Sequence, residues 1–180
     1  MSIPFQNIKS RLLFFLLGLT ITTSLQAEIN VKDDEGHRVK LQQPAKRIIS
    51  LAPHITESLF AAGAGEKVIG AVAYSDYPEA AKKIPRVGGY PTLDIETIIS
   101  LKPDLIVAWA LGNNMNQVNK LEALGIPVFK SEPRNPLDIA NTIRRFGILA
   151  GTTKISKKES SKFILHYQRL KKQYSRKKIK

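Results

Sequence analysis

The 180 residues carry 28 Lys and Arg against 15 Asp and Glu, a net charge of +13, with 43% hydrophobic residues and no cysteine. Without cysteine a disulfide framework and a thiolate metal site are both excluded, while the length suffices for one substantial core. The basicity is local rather than general. Residues 154–180 hold nine Lys and two Arg against Glu159, Lys9 and Arg11 lie near the start, and the stretch 28–153 is nearly neutral. A basic tail without a helix-turn-helix pattern, a zinc site or clustered stacking aromatics gives only non-specific attraction, so no nucleic-acid partner is expected.

Residues 1–27 combine Lys9 and Arg11, the apolar run LLFFLLGL at 12–19, and a small residue, Ala27, at the end. A basic start, a short apolar stretch and a small residue describe a cleaved secretory signal. Thr20, Thr22, Thr23 and Ser24 break the run well short of the ~20 apolar residues a spanning helix needs. The mature chain is expected to begin at Glu28.

Residues 28–41 alternate in short pieces around Asp34, Glu35 and Gly36, which predicts a β-hairpin at the edge of the domain. Asp33, Asp34, Glu35 and His37 form an acidic tip there. Carboxylates at a hairpin tip are ordinary turn chemistry, and no second histidine stands at a defined ligand spacing, so no metal is assigned.

Three β-branched apolar runs follow, at 48–51 (IISL), 68–72 (VIGAV) and 105–109 (LIVAW), none with clean alternation. Strands covered on both faces of a parallel sheet have this pattern. Between them the spacing predicts helices over 56–62, closed by Gly63, and 94–101, each with an acceptor side chain at its N-cap. Beyond Trp109, Asn113 and Asn114 precede a helical pattern of Met115, Val118, Leu121 and Leu124, ended by Gly125 and Pro127. Residues 126–129 read as a strand. Asn135 then caps a helix with Pro136 in its first position and a stripe of Ile139, Ile143, Phe146 and Ala150. In the tail, Phe163, Tyr167, Leu170 and Tyr174 recur at helical steps with the basic residues mostly off that face. The expected fold is an α/β lobe, residues 28–153, with an open and mostly parallel sheet, flanking helices and an N-terminal hairpin. A basic amphipathic helix, residues 154–180, follows it.

In such a lobe the loops leaving the carboxyl ends of the strands line the ligand crevice. Those loops are 50–54, 74–78 and 109–114. Tyr74 and Trp109 sit just past strand ends, and Tyr90 lies in the Gly88-Gly89-Tyr90-Pro91 loop. Flat aromatic rings there suit a large, partly apolar ring system; the plainer assignment is that they pack under loops or fill the core. Ser50, His54 and Asp76 could converge above the sheet as a hydrolytic set. The Gly-flanked elbow that such a serine normally occupies is missing, as is a Gly-rich phosphate loop, so no enzyme activity is expected.

The segments RIISLAPHITE, AVAYSDYP and LDIETIISLKPDLIVAW, with GNN shortly after, resemble the N-terminal lobe of periplasmic substrate-binding proteins serving cobalamin, haem and iron-siderophore importers. They are most similar to the cobalamin-binding members. The resemblance runs from about residue 29 to the C-terminus but covers only about half of the family's length, so the second lobe is expected to be absent and the tail to match the start of the interlobe helix. It implies a periplasmic binder of a corrinoid or similar large chelate, with no cofactor of its own, delivering to the membrane subunits of an ABC importer. It also implies ligand contact at Tyr74, Trp109 and Tyr90, the last often Trp in the family. Glu96, in the first turn of the helix at 94–101, would be the carboxylate that docks on the importer, besides stabilising its own helix terminus. The alternatives are a haem or iron-siderophore binder, or a truncated remnant. Such a remnant would act at most as a partner-binding module or through weak membrane-surface contact by the basic helix.

Overall fold

The computed structural model describes residues 28–89 and 92–175. Residues 1–27, on which the expected secretory signal falls, Tyr90, Pro91 and the last five residues lie outside the described residues. Two antiparallel strands come first, β1 (Ile29–Lys32) and β2 (Arg38–Leu41), with Val31 opposite Val39. The acidic tip expected from the sequence is turn chemistry. Asp33 Oδ1 accepts the backbone N–H groups of Glu35 and His37 at 3.0 and 2.7 Å, and Gly36 takes the positive φ of 93° that closes the turn.

The remaining strands, β3 (Ile48–Ser50), β4 (Val68–Ala71), β5 (Leu105–Trp109) and β6 (Val128–Ser131), form one parallel sheet in the order β4-β3-β5-β6. Among the described residues five α-helices accompany it: α1 (Pro53–Ala61), α2 (Ile95–Ser100), α3 (Met115–Ala123), α4 (Pro136–Leu149) and α5 (Thr153–Ser175). Alternate residues of each strand serve opposite faces. Ile48, Leu105, Val107 and Phe129 pack with Ile55 and Leu59 of α1 and Ile143, Phe146 and Leu149 of α4. Ile49, Ile106, Ala108 and Val128 pack with Ile98 of α2 and Val118 and Leu121 of α3. Both faces of the sheet are therefore covered, which is why the strands read as continuous apolar runs.

The caps at Asp94, Asn114 and Asn135 follow the sequence reading; Asn135 and Asp138 complete a reciprocal capping box. Two boundaries do not. Helix α1 starts three residues before the expected position, with Pro53 in its first turn and Ala52 as a cap that has no side-chain acceptor. Proline's fixed φ is already helical, and its missing N–H is not needed at a helix start. Thr56, read as the cap region, is instead buried inside the first turn with its hydroxyl on the Ala52 carbonyl. Strand β6 runs two residues later than expected, because its pairing partner Ile106 fixes its register opposite Val128.

Helix α5 packs against α4 through small residues. Ser156 and Ser160 are buried, and a Cβ added at Gly147 would overlap the Ser156 side chain. The expected stripe continues this face: Phe163 and Tyr167 are half-buried, Leu170 and Tyr174 exposed. The hairpin is fixed to the far edge of the sheet by Asp34. Its carboxylate accepts the Glu132 N–H at 2.7 Å and pairs with Arg145 of α4 at 2.6 Å.

Candidate functional site

The sheet order sets the location. From β3 the chain crosses through α1 to β4 on one side, and from β4 it passes back over β3 to β5 on the other. The carboxyl ends of β3 and β5 therefore flank the point where the winding reverses, where α/β sheets open a crevice.

Trp109 is the last residue of β5 and is held from three directions. Its backbone N–H donates to Asn113 Oδ1 at 2.7 Å, and the Asn113 amide donates to the Leu51 carbonyl at 2.8 Å, which ties the β5 loop to the β3 loop. One face of the indole lies over Gly112, where any Cβ would overlap the ring. The imidazole of His54 meets it edge-to-face, with centroids 5.2 Å apart and planes at 87°. Trp109 also packs on the α1–α4 core, which is the plainer of the two assignments made for it from the sequence.

The loop after β4 is built on hydroxyls and one guanidinium. Ser50 and Thr56 share a hydrogen bond of 2.8 Å, and Thr56 donates to Ser75 at 3.2 Å. Arg86 donates to the carbonyls of Ser75, Ala81 and Ile84 and pairs with Asp76 at 3.0 Å. This framework holds Tyr74 at φ 64° with 84% of its surface exposed. A bulky residue in the left-handed region costs about 1–2 kcal/mol, and here the ring it presents is turned out to solvent. Ser50 and Asp76 are thus engaged with Thr56 and Arg86, and the structure does not assemble them with His54 into a relay.

A cleft of about 600 Å³ opens beside Trp109. Its walls are His54, Glu57, Ser58 and Ala61 of α1, Glu132 and Pro133 after β6, Ile139 and Ile143 of α4, and Phe163 of α5, with Tyr77 completing the lining. Tyr77, 70% exposed, lines the cleft where Tyr74 does not. The sequence reading passed over Tyr77, Glu57 and Glu132 and placed Phe163 only on the apolar stripe of the tail; the second tyrosine of YSDYP was the available signal for the first of these. Burial pushes the His54 imidazole below the ordinary histidine value of 6.5, against the opposing pull of Glu132 and then Glu57.

Glu96 stands elsewhere, exposed in the first turn of α2, on the opposite face of the sheet from the cleft. Asp94 caps that helix by accepting the Thr97 N–H at 3.0 Å and the Thr97 hydroxyl at 2.6 Å. These bonds, the hydroxyl first, hold the Asp94 carboxyl below its usual range. Tyr90 lies outside the described residues.

Residues 48–180 match the family model described as periplasmic binding protein. The vitamin B12-binding protein of Vibrio vulnificus (strain CMCP6) is 40% identical over 131 residues, 73% of this chain and 48% of that protein. Among solved structures, the periplasmic vitamin B12 binding protein BtuF of Vibrio cholerae superposes with a TM-score of 0.71 at 40% identity, covering 74% of this chain and 52% of that one. The heme binding protein HmuT gives 0.68 at 20% identity over 84% and 50%, a likeness of fold. The chain spans about half the length of the curated relatives it matches.

Proposed function

This chain belongs to the periplasmic binding protein family, and from that premise we propose that it supplies the N-terminal lobe of the substrate-binding component of an ABC importer for cobalamin or a related corrinoid. The observation that carries this reading is Trp109, pinned by Asn113, Gly112 and His54 at the winding reversal of the sheet, with Tyr77 beside it in the cleft. A rigid indole and outward-facing phenols offer area to a flat macrocycle at little entropic cost. Tyr74 and Trp109 are the proposed ligand contacts, with Tyr90 as the third. The role is binding rather than catalysis, in keeping with the engaged side chains of Ser50 and Asp76.

Family membership implies a periplasmic protein. Export would use residues 1–27, and mass spectrometry of the periplasmic form should then find Glu28 at the N-terminus; an intact Met1 opposes the assignment. Glu96 is the proposed contact to the importer's membrane subunits. The basic face of α5 is suited to weak attraction to an anionic membrane surface, for which co-sedimentation with anionic but not neutral vesicles is the test.

Calorimetric titration with cobalamin tests the central claim. A two-lobed binder divides its contacts, and half of a nanomolar binding free energy of about −12 kcal/mol corresponds to a Kd of roughly 40 μM. The 180-residue chain should bind cobalamin in the tens of micromolar. Absence of binding at millimolar protein would remove the corrinoid reading.

A further inference from the structure

We infer that Glu57 and Glu132 make the cleft selective for a large chelate whose periphery carries neutral amides over one whose periphery carries free carboxylates. The inference rests on the corrinoid reading above and names what sets its substrate class. A corrin ring bears primary amide side chains and would be admitted, whereas a porphyrin bearing propionates would be disfavoured.

The two carboxylates reach the cleft from distant parts of the chain. Glu57 follows His54 by three residues on α1, on the same helix face. Glu132 enters just after β6, steadied by accepting the Leu111 N–H at 3.3 Å. His54 lies in the field of both, and burial keeps its imidazole biased towards the neutral form, so it does not offset their charge. Among the described residues, no Lys or Arg lines the cleft. On α5, Lys162 next to the lining Phe163 is paired with Glu159 at 2.8 Å. The other walls are aromatic or aliphatic, chiefly Trp109, Tyr77, Phe163 and Ile139.

A carboxylate only accepts hydrogen bonds, and a primary amide offers two N–H donors, so each Glu can hold a side-chain amide by a charge-assisted bond. A ligand carboxylate in the same place offers no donor and adds a like charge in a partly dehydrated cleft. At that range the repulsion amounts to about tenfold or more in affinity.

Equilibrium dialysis, read by corrin absorbance, would compare cobalamin with the carboxylate forms made by acid hydrolysis of its side-chain amides. The wild-type chain should bind the amide form at least about tenfold more tightly. The Glu57→Gln/Glu132→Gln double variant keeps size and the acceptor for Leu111, and in it the difference should largely vanish. Circular dichroism would establish that the variant is folded, and each single variant provides a second comparison if it is not. Equal binding of amide and carboxylate forms by the wild type, or undiminished discrimination in folded variants, overturns the inference while leaving the corrinoid reading in place. Failure of the wild type to bind cobalamin at all removes both.

Discussion

The imidazole of His54 and the indole of Trp109 meet in a T-shaped contact that joins the first turn of α1 to the carboxyl end of β5 at a centroid separation of 5.2 Å. Through this contact the charge state of one residue bears on the placement of the other. Its neutral bias arises mainly from burial, with Glu132 and Glu57 opposing. The unfolded chain takes up the histidine proton near 6.5, and the folded chain only at lower pH. Stability is therefore unaffected above that value, is lost as pH falls below it, and levels off once the folded form is also protonated. Urea midpoints at pH 7.5 and 5.0 should show a larger acid loss for the wild type than for His54→Gln. Equal losses would count against the buried-imidazole account.

Gly112→Ala is the smallest change that reaches Trp109 through packing. The added methyl would overlap the indole, and overpacking of this kind costs typically about 1–3 kcal/mol. The ring should move, giving a shifted emission spectrum from the chain's single tryptophan and weaker cobalamin binding. Unchanged emission and affinity would mean that the loop accommodates the methyl without disturbing the ring.

Arg145 fastens the hairpin to the sheet by pairing with Asp34, donating to the Lys32 carbonyl and lying over the Phe129 ring at 5.0 Å. Both side chains of the pair are largely buried, at 14% and 18% exposure. Arg145→Met should therefore cost about 1.5–3 kcal/mol, the range for hydrogen bonds to charged groups. Chemical denaturation would measure it, and a loss below about 0.5 kcal/mol, the usual size of a surface change, would assign the hairpin's attachment to apolar packing instead.

Glu96 is exposed and lies across the sheet from the cleft, so its proposed docking role and ligand binding should separate. Glu96→Lys is predicted to leave cobalamin affinity unchanged. The same change should weaken the chain's association with importer membrane subunits in proteoliposomes, scored by co-flotation. Equal co-flotation would remove Glu96 from the docking role.

The amino-acid sequence by itself determined the elements and the family, because their causes act over a few residues. Uninterrupted β-branched runs marked strands covered on two sides, and Asp94 and the Asn135–Asp138 pair marked helix starts by the acceptors they supply. The place of Trp109 at the end of β5 was legible because a strand end is a local property. Tertiary structure alone decided what meets there. Placing β3 between β4 and β5 brought His54 to Trp109, and the return of α4 and α5 brought Ile143 and Phe163 to the same cleft. Glu57 and Glu132, far apart in the chain, share the field of one imidazole only because β3 and β6 flank β5. Local patterns fix which backbone hydrogen bonds form, whereas the convergence of side chains on a cleft depends on strand order and helix packing, which no short window of residues contains.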